Sequence, residues 1–265
     1  MKYVRIFLLH FQQVFEQRAR SLVWFILAFL NPLIMLTFWL GAFSQKGFSL
    51  VAWSLSSITS YYFLLIIAGA FLIVHVEEDV AVLDIREGAL ARYLLRPISY
   101  YWIKFFDETG YRLLQGAFGV IIFFIFSLFF TGFVSLANTL IQILFAVIIV
   151  ILGYLISFTF KMILGLSAFW FTDFWGLQQL TEVVILVMAG FVMPLDLFPE
   201  FIRKIAFFLP FSYMAYFPLI AVQGKLALFE LLRVILAQSF WFLTLFFFYQ
   251  FLWRKGVKKF AAIGQ

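Results

Sequence analysis

The sequence predicts an all-α integral membrane protein, and three observations support this fold class. Hydrophobic residues make up 65% of the 265-residue chain. Charged residues make up only 12%, whereas about a quarter of the residues of a soluble domain are charged. Apolar runs also recur that match the roughly 20 residues a helix needs to cross a hydrocarbon core about 30 Å thick. We therefore expect residues 1–265 to form one transmembrane domain.

Six segments are long enough and apolar enough on all sides to be membrane-spanning helices. The predicted spans are residues 22–43, 58–76, 112–133, 136–160, 176–193 and 230–253. Residues 1–20 carry apolar side chains at helical spacing opposite a basic face, which predicts an amphipathic helix in the headgroup layer. The same segment can equally serve to anchor the first span.

The basic residues predict how the chain is oriented in the membrane. With the N-terminus in the cytoplasm, 14 of the 19 Lys and Arg residues fall on cytoplasmic segments, and short cytoplasmic loops normally carry such an excess. We expect both termini to be cytoplasmic, an even number of crossings and a location in the cytoplasmic (inner) membrane. The formal net charge of +6 does not indicate nucleic-acid binding, because the basic residues flank spans instead of forming one patch.

Residues 194–224 are apolar but contain prolines at short intervals. Pro194, Pro199, Pro210 and Pro218 divide the stretch into pieces of about ten residues, which are too short to span a bilayer. The parity of the crossings places the stretch outside the cell. We expect two short helices that enter the outer leaflet and return, a re-entrant hairpin packed against the helix bundle. An amphipathic surface loop is the alternative.

The main polar region, residues 77–110, is expected in the cytoplasm between the second and third spans. Gly88 can end an incoming helix, and Pro97 disfavours helix at the residue before it. Between them, residues 89–95 are good helix formers. We expect a short amphipathic helix here, which either holds a soluble partner protein through apolar and Arg side chains or rests on the membrane.

Several kinds of chemistry are excluded by composition. The chain has no Cys and only two His, so disulfides, thiolate metal sites and clustered zinc ligands are not expected. The sequence contains no GxxxxGK[ST] loop, and the chain therefore does not hold ATP phosphates itself. We expect no catalytic residue, no metal and no cofactor on this chain.

Two acidic residues near the fifth predicted span are candidates for a pathway or interfacial role. Asp173 lies in the turn before this span, and Glu182 lies about two turns into it. Glu182 either lines or gates a pathway, or lies near the headgroups, hydrated or paired with Arg or Lys. A coupling role for Glu182 would make the chain an ion-coupled secondary transporter. An intramembrane enzyme is disfavoured, because Cys, clustered His and central carboxylates are lacking.

Two sequence blocks carry a family resemblance. The segment REGALARYLLRPIS (86–99) resembles the cytoplasmic signature of ABC transporter permeases of the type-2 (ABC-2) export class. FWFTDFWGLQQL (169–180) and the proline-containing stretch 189–224 are similar to the six-span subgroup often described as drug or viologen exporter permeases. Ala89 stands where that subgroup commonly has an acidic residue.

The resemblance implies a permease subunit without enzymatic activity that moves an amphipathic or apolar substrate, such as a drug, a lipid or a secondary metabolite. The short cytoplasmic helix would be a coupling helix that docks on a separate ABC ATP-binding subunit, which holds ATP and Mg²⁺. Two permease subunits, identical or paralogous, would surround a central pathway in the lipid bilayer. The outer hairpin would help to close the extracellular exit.

The resemblance also assigns residues to these roles. The expected docking residues are Arg86, Glu87, Gly88, Leu90, Arg92, Tyr93, Leu94, Leu95, Arg96 and Pro97. The expected residues of the extracellular gate are Pro194, Phe198, Pro199, Pro210, Phe211 and Pro218.

Overall fold

The computed structural model describes residues 18–45, 50, 53–129 and 136–260, and every regular element in these ranges is helical. The helices are α1 (Arg18–Ser44), α2 (Leu55–Leu72), α3 (Val76–Glu78), α4 (Leu90–Leu94), α5 (Tyr100–Phe129), α6 (Leu140–Leu166), α7 (Phe174–Met188), α8 (Glu200–Phe208), α9 (Tyr216–Val222) and α10 (Leu228–Lys259). This confirms the all-α fold class. The predicted amphipathic helix over residues 1–20 lies outside the described residues, apart from its last three positions, which begin α1.

Three helical stretches of the described chain are long and apolar enough to cross a membrane. They are Leu55–Arg86, Leu140–Phe169 and Leu228–Lys259. A fourth is present if Glu200–Phe208 and Pro210–Val222, which meet at a bend of 72°, form one broken span. These stretches give the chain the character of a multi-pass membrane protein, while the count of six spans stays a prediction.

Several helices have limits different from the predicted span limits; α5 begins at Tyr100 instead of residue 112, and α10 continues to Lys259 instead of ending at residue 253. The fourth predicted span stops at residue 160, but α6 continues to Leu166, because the charged side chain of Lys161 finds a carboxylate partner inside the bundle. The fifth predicted span continues to residue 193, but α7 ends at Met188 and the chain turns there. As a result, α7 is a helix of 15 residues.

Helix α2 lies at the centre of the described bundle. In the most apolar window of the stretch Leu55–Arg86, which begins with α2, 78% of the residues are buried, compared with 22% for α10. Helices α1 and α5 pack against α2, and α10 packs along α6. Because α2 is surrounded by other helices, its residues are apolar on every side instead of forming one apolar stripe.

The proline-containing stretch folds into two short helices, α8 and α9, as the sequence predicts. A 3-10 turn over Pro210–Tyr213 joins them, with its proline at the first helical position, where a missing N–H costs nothing. Pro218 packs close to Gly153 of α6. The hairpin therefore contacts the main bundle, and its depth in the outer leaflet stays a prediction.

Candidate coupling site

The predicted docking helix is present as α4, and local sequence explains its limits. Gly88 has φ +82°, a left-handed conformation that glycine adopts readily and that breaks the helical path before α4. Pro97 follows α4 and disfavours its continuation. The exposed fraction of Leu95 is 88% and that of Leu94 is 42%, so two large apolar side chains face outward at the end of the helix.

The predicted docking residues divide into exposed and internal groups. We call the exposed group the docking surface; it comprises Glu87, Arg92, Leu94, Leu95, Arg96 and Pro97. Leu90 is fully buried and belongs to the core. Arg86, Gly88 and Tyr93 are partly buried. An apolar patch with Arg side chains at its edge is typical of a protein-binding site.

Arg86 has a structural partner that the sequence pattern did not indicate. Its guanidinium Nη2 donates hydrogen bonds to the backbone oxygens of Thr172 and Phe171, in the turn between α6 and α7. Asp173 in the same turn accepts a hydrogen bond from the backbone N–H of Gly176 at 3.0 Å, which caps the start of α7. Both charged residues thus fix the geometry of this turn.

A helical path connects α2 to the docking surface. After a short break, α3 begins at Val76 and continues as a π-helical segment, Asp79–Arg86. We call residues 75–86 the coupling segment. π-Helical turns are rare and are frequently found at functional sites, and this segment ends two residues before Gly88.

The coupling segment is attached to α5 through Asp84. The buried Asp84 carboxylate accepts a hydrogen bond from the Tyr100 hydroxyl at 2.6 Å, and its Oδ2 lies 2.6 Å from the Lys104 ammonium. Tyr100 also stacks on Trp253 of α10, with ring centroids 4.7 Å apart. The Tyr93 ring of α4 packs edge-on against Tyr100 at 5.4 Å. We call Tyr93, Tyr100 and Trp253 the aromatic brace, which connects the docking helix to α5 and α10.

Lys104 remains charged at this buried position because of its partner. Burial alone lowers the pKa of Lys104, but the adjacent Asp84 carboxylate outweighs burial, and the pKa is raised above its ordinary value of 10.5. The pairing thus favours the ammonium form, as an opposite charge within hydrogen-bond distance does.

Three charged residues from distant parts of the sequence meet at the start of the coupling segment. The Lys161 ammonium of α6 donates to Glu77 Oε1 at 2.7 Å and also to Glu182 Oε1 of α7. The side chains of Lys161 and Glu77 are almost completely buried, while Glu182 is 37% exposed. Gln178 donates a further hydrogen bond to Glu77 at 3.3 Å. We call Glu77, Lys161 and Glu182 the ion triad.

The ion triad gives Glu182 a partner, while its role in transport stays a prediction. Glu182 is paired with a lysine, as one of the interpretations expected, and the partner is Lys161. The His75, Glu77 and Glu182 ligand atoms lie within 4.8 Å of one another, close enough to hold a cation. Lys161 already supplies that positive charge, so an ion-pair network describes the cluster better than a metal site.

A further ion pair ties the beginning of the coupling segment to α5. Glu108 Oε1 lies 2.6 Å from Arg112 Nε and accepts a hydrogen bond from the His75 backbone N–H at 3.3 Å. Arg112 is 3% exposed and also donates to Gln115 at 2.9 Å. The coupling segment is therefore bound to α5, to α6, to α7 and to the turn that contains Thr172.

A second polar cluster that the sequence pattern missed lies away from the coupling segment, toward the end of the bundle that is predicted to face outward. The hydroxyls of Tyr61 and Tyr62 donate to the backbone oxygens of Gly190 and Val192 at 2.7 and 2.8 Å. Trp39 of α1 donates to the Tyr62 hydroxyl at 2.9 Å. We call Trp39, Tyr61 and Tyr62 the outer aromatic cluster. It joins α1, α2 and the segment of the chain that follows α7.

The predicted gate residues differ in burial, and their role in closing an exit stays a prediction. Pro194, Pro210 and Pro218 are buried, Phe198 and Phe211 are partly buried, and Pro199 is exposed. Tyr216 of α9 donates a hydrogen bond to Asp196 at 2.6 Å, which connects the hairpin to the chain after α7. The sequence feature that could have indicated the outer aromatic cluster is the adjacent pair Tyr61 and Tyr62 near the start of the predicted span 58–76.

Comparison with known families identifies the class to which these features belong. The family model described as "ABC-2 family transporter protein" matches residues 29–264, which is most of the chain. The chain belongs to the ABC-2 transporter family. The resemblance seen in residues 86–99 and 169–224 is thereby confirmed. A search among curated proteins found no significant match.

Membership of this family gives the fold its general role. The protein is a multi-pass membrane component of an ABC transporter, and ABC-2 membrane proteins generally work with ATP-binding subunits. In this ABC-2 permease, the candidate contact surface for such a subunit consists of the docking surface and the coupling segment.

Proposed function

We propose that this ABC-2 permease is the membrane subunit of an exporter that moves an amphipathic or apolar substrate, such as a drug, a lipid or a secondary metabolite. ATP and Mg²⁺ would bind to a separate ATP-binding subunit, and this chain would have no enzymatic activity of its own. The docking surface supports the proposal most directly. It exposes Leu94 and Leu95 at the end of a short helix that packs against the coupling segment and, through Tyr93, against Tyr100 of α5.

The contacts of the coupling segment suggest how ATP binding would act on the bundle. A partner that pulls on α4 would move the coupling segment through the aromatic brace and Asp84. Because packed protein interiors are nearly incompressible, the segment would transmit this displacement to α6 and α7 through the ion triad. The ATP-dependent step would then shift the bundle between inward-open and outward-open states.

We propose that two permease subunits, identical or paralogous, enclose the pathway. Helix α5 exposes a row of large apolar side chains: Val120, Ile121, Phe124, Ile125 and Leu128. Such a face suits either lipid or a second subunit. In the proposed assembly, the outer aromatic cluster and the hairpin would close the extracellular end while substrate enters from the other side.

The alternative, an ion-coupled carrier that uses Glu182, has less support. A coupling carboxylate must release its ion during the transport cycle, whereas Glu182 is bound to the Lys161 ammonium. The arrangement fits a structural ion pair better than an exchanging site. Transport that continues without ATP and stops when the proton gradient is removed would favour the carrier.

The docking surface can be tested with one double variant, Arg92→Glu with Leu95→Asp. Both side chains are exposed, so the permease is expected to fold and reach the membrane normally. Co-purification of the ATP-binding subunit should fall by roughly tenfold or more, since losing two central interface contacts costs well over 1.4 kcal/mol. The measurement is a pull-down from solubilised membranes with equal amounts of permease.

The matched control is Arg233→Glu, which reverses an exposed positive charge near the start of α10. The predicted orientation places Arg233 on the opposite side of the membrane from the docking surface. Association in the control should equal that of the wild type. Unchanged association in the double variant would contradict the proposed docking site.

A further inference from the structure

A cleft of about 320 Å³ lies between the docking helix and the last helix of the bundle. One wall runs from Tyr93 at the end of α4 to Trp102 in α5, and the other runs from Phe246 to Arg254 in α10. The volume is at the lower limit for small-molecule sites. A headgroup would fit into it, whereas a whole lipid would not.

Two arginines give the cleft its charge. Arg96 and Arg254 both line it, and none of the residues that line it is acidic. Neither arginine forms an ion pair with a carboxylate of the described residues. Planar guanidinium groups bind phosphate through paired hydrogen bonds. In this cleft, no lining carboxylate neutralises the positive charge of the two arginines.

The polarity of the cleft changes along its length. Phe246 and Tyr249 lie within the predicted sixth span, while Arg254 directly follows the end of that span at residue 253. Trp102 and Trp253 also line the cleft, and tryptophan is enriched where a membrane meets water. The apolar part therefore lies on the membrane side and the basic part at the membrane surface.

We propose that the cleft binds the headgroup of an anionic phospholipid, with the phosphate held by Arg96 and Arg254 and the glycerol region against the tryptophans. Basic clefts between membrane helices at the cytoplasmic surface suit such headgroups. A protein segment would meet the basic part but would also have to cover the partly exposed Phe246 within the predicted span, which an acyl chain does directly.

The bound lipid would connect two elements that carry the proposed coupling motion. Arg96 follows α4, and Arg254 is on α10 next to Trp253 of the aromatic brace. An anionic headgroup between them would hold the docking helix against α10. Lipid binding itself does not depend on the proposed transport function and can be measured on the permease alone.

The test uses the full-length permease in detergent, titrated with short-chain phosphatidylglycerol, and follows the thermal unfolding midpoint. Arg254→Gln and Arg96→Gln should each weaken the apparent affinity roughly tenfold, because a charge-assisted hydrogen bond contributes at least this factor. Lys255→Gln is the matched control. This substitution removes one positive charge from the residue next to Arg254 in the sequence, which does not line the cleft. The Lys255→Gln variant should bind the lipid nearly as tightly as the wild type.

Further titrations separate the sources of the phosphate group. Phosphatidylcholine should stabilise the wild type less than phosphatidylglycerol, and inorganic phosphate should give no comparable shift. An equal shift with inorganic phosphate would overturn the proposal in favour of a free-anion site. Equal lipid affinity in the wild type and Arg254→Gln would also overturn it, and weaker binding of the ATP-binding subunit by that variant would then assign the cleft to a protein partner.

Discussion

Lys161 shows how one charged side chain can be tolerated inside an apolar helix. Taking an ammonium group out of water costs several kcal/mol, and only close carboxylates with good geometry offset this cost. Lys161 is 1% exposed and binds both Glu77 and Glu182. The carboxylate of Glu77 is equally dependent on Lys161, since it is fully buried. Each member of the pair is therefore stabilised in its charged form mainly by the other.

Replacing Lys161 by Met should destabilise the permease by about 3–5 kcal/mol, because the buried Glu77 carboxylate loses its counter-charge. The measurement is the thermal unfolding midpoint of the purified protein in detergent, compared with the wild type. Met keeps most of the side-chain volume, so the loss of charge and not a cavity accounts for the effect.

Glu182→Gln provides the matched comparison within the same cluster. It removes the partly exposed carboxylate but leaves the buried Lys161–Glu77 pair intact, and the expected loss is about 1 kcal/mol or less. If Glu182→Gln destabilised the protein as much as Lys161→Met does, the importance assigned to the buried pair would be wrong.

Asp84→Asn should make the stability of the permease depend on pH in a way that the wild type does not. In the wild type, Asp84 raises the pKa of Lys104 above 10.5. The stabilisation that the Asp84–Lys104 pair provides is complete at pH values below the pKa of Lys104 in the unfolded state. It is lost only as pH rises through the pKa of Lys104 in the folded state. In the variant, the Asp79 carboxylate remains, but burial is no longer offset by Asp84, so the pKa of Lys104 should fall below its wild-type value. The variant should therefore lack stabilisation that the wild type has at neutral pH, and this difference should shrink as pH rises through the pKa of Lys104 in the wild type.

The prediction is checked by unfolding both proteins at neutral pH and at several more alkaline values. The difference in unfolding midpoint between the wild type and Asp84→Asn should be largest at neutral pH and should decrease as pH rises. Tyr100→Phe is the control, since it removes one hydrogen bond to Asp84 and leaves the ion pair in place. If the difference in unfolding midpoint between the wild type and Asp84→Asn stayed constant with pH, the substitution would not have changed the pKa of Lys104, and the role assigned to Asp84 would be wrong.

The coupling segment can lie against α6 because Gly165 has no side chain. A Cβ atom at this position would be 2.7 Å from Cβ of Val80 and 2.9 Å from the backbone oxygen of Glu77. Gly165→Ala should therefore push the coupling segment away from α6 and cost about 1–3 kcal/mol. Thermal unfolding measures the stability, and substrate transport with the ATP-binding subunit present should fall as well.

Gly41→Ala is the matched control for this change. Gly41 lies in α1, and a Cβ atom there would have nothing within 4 Å. Since Ala favours helix over Gly, the control should be neutral or stabilise the protein by about 0.5–1 kcal/mol. Equal effects of the two substitutions would argue against the close approach at Gly165 as the cause.

The helix α4 could be predicted from sequence because its limits depend on adjacent residues. Gly88 and Pro97 act on the backbone next to them, and the helix lies between them as expected. The ion triad could not be predicted in the same way. Glu77 and Lys161 are 84 positions apart, and their pairing depends on how α3 and α6 pack. Hydropathy alone placed both residues in cytoplasmic segments without indicating a contact.

The span limits illustrate a second kind of difference. Apolar composition predicts where a helix is compatible with lipid, but the chain ends a helix where hydrogen bonding and packing allow. Leu186 accepts hydrogen bonds from Phe191 and Val192, which turns the chain after α7 within a stretch that is apolar throughout. The outer aromatic cluster then fixes this turn, and that interaction is visible only in three dimensions.

The two polar clusters lie at different levels of α2. The hydroxyls of Tyr61 and Tyr62, near the middle of α2, bind the chain after α7, and residues 75–86 follow the end of α2. Glu182, near the middle of α7, belongs to the ion triad, and Gly190 after α7 binds Tyr61. A displacement of the coupling segment would therefore reach the outer aromatic cluster through α2 and α7.

The predicted orientation places the docking surface and the outer hairpin on opposite sides of the membrane, and single cysteines can test it. The chain has no Cys, so the wild type is the unlabelled control. Leu95→Cys and Lys204→Cys introduce thiols at exposed positions, where the native side chains are 88% and 75% exposed. In intact cells, a thiol reagent that does not cross membranes should label Lys204→Cys. It should label Leu95→Cys only after the cells are permeabilised, because positive-inside bias places residues 77–110 in the cytoplasm. The reverse pattern would invert the topology, and labelling of both in intact cells would show an even number of crossings between them.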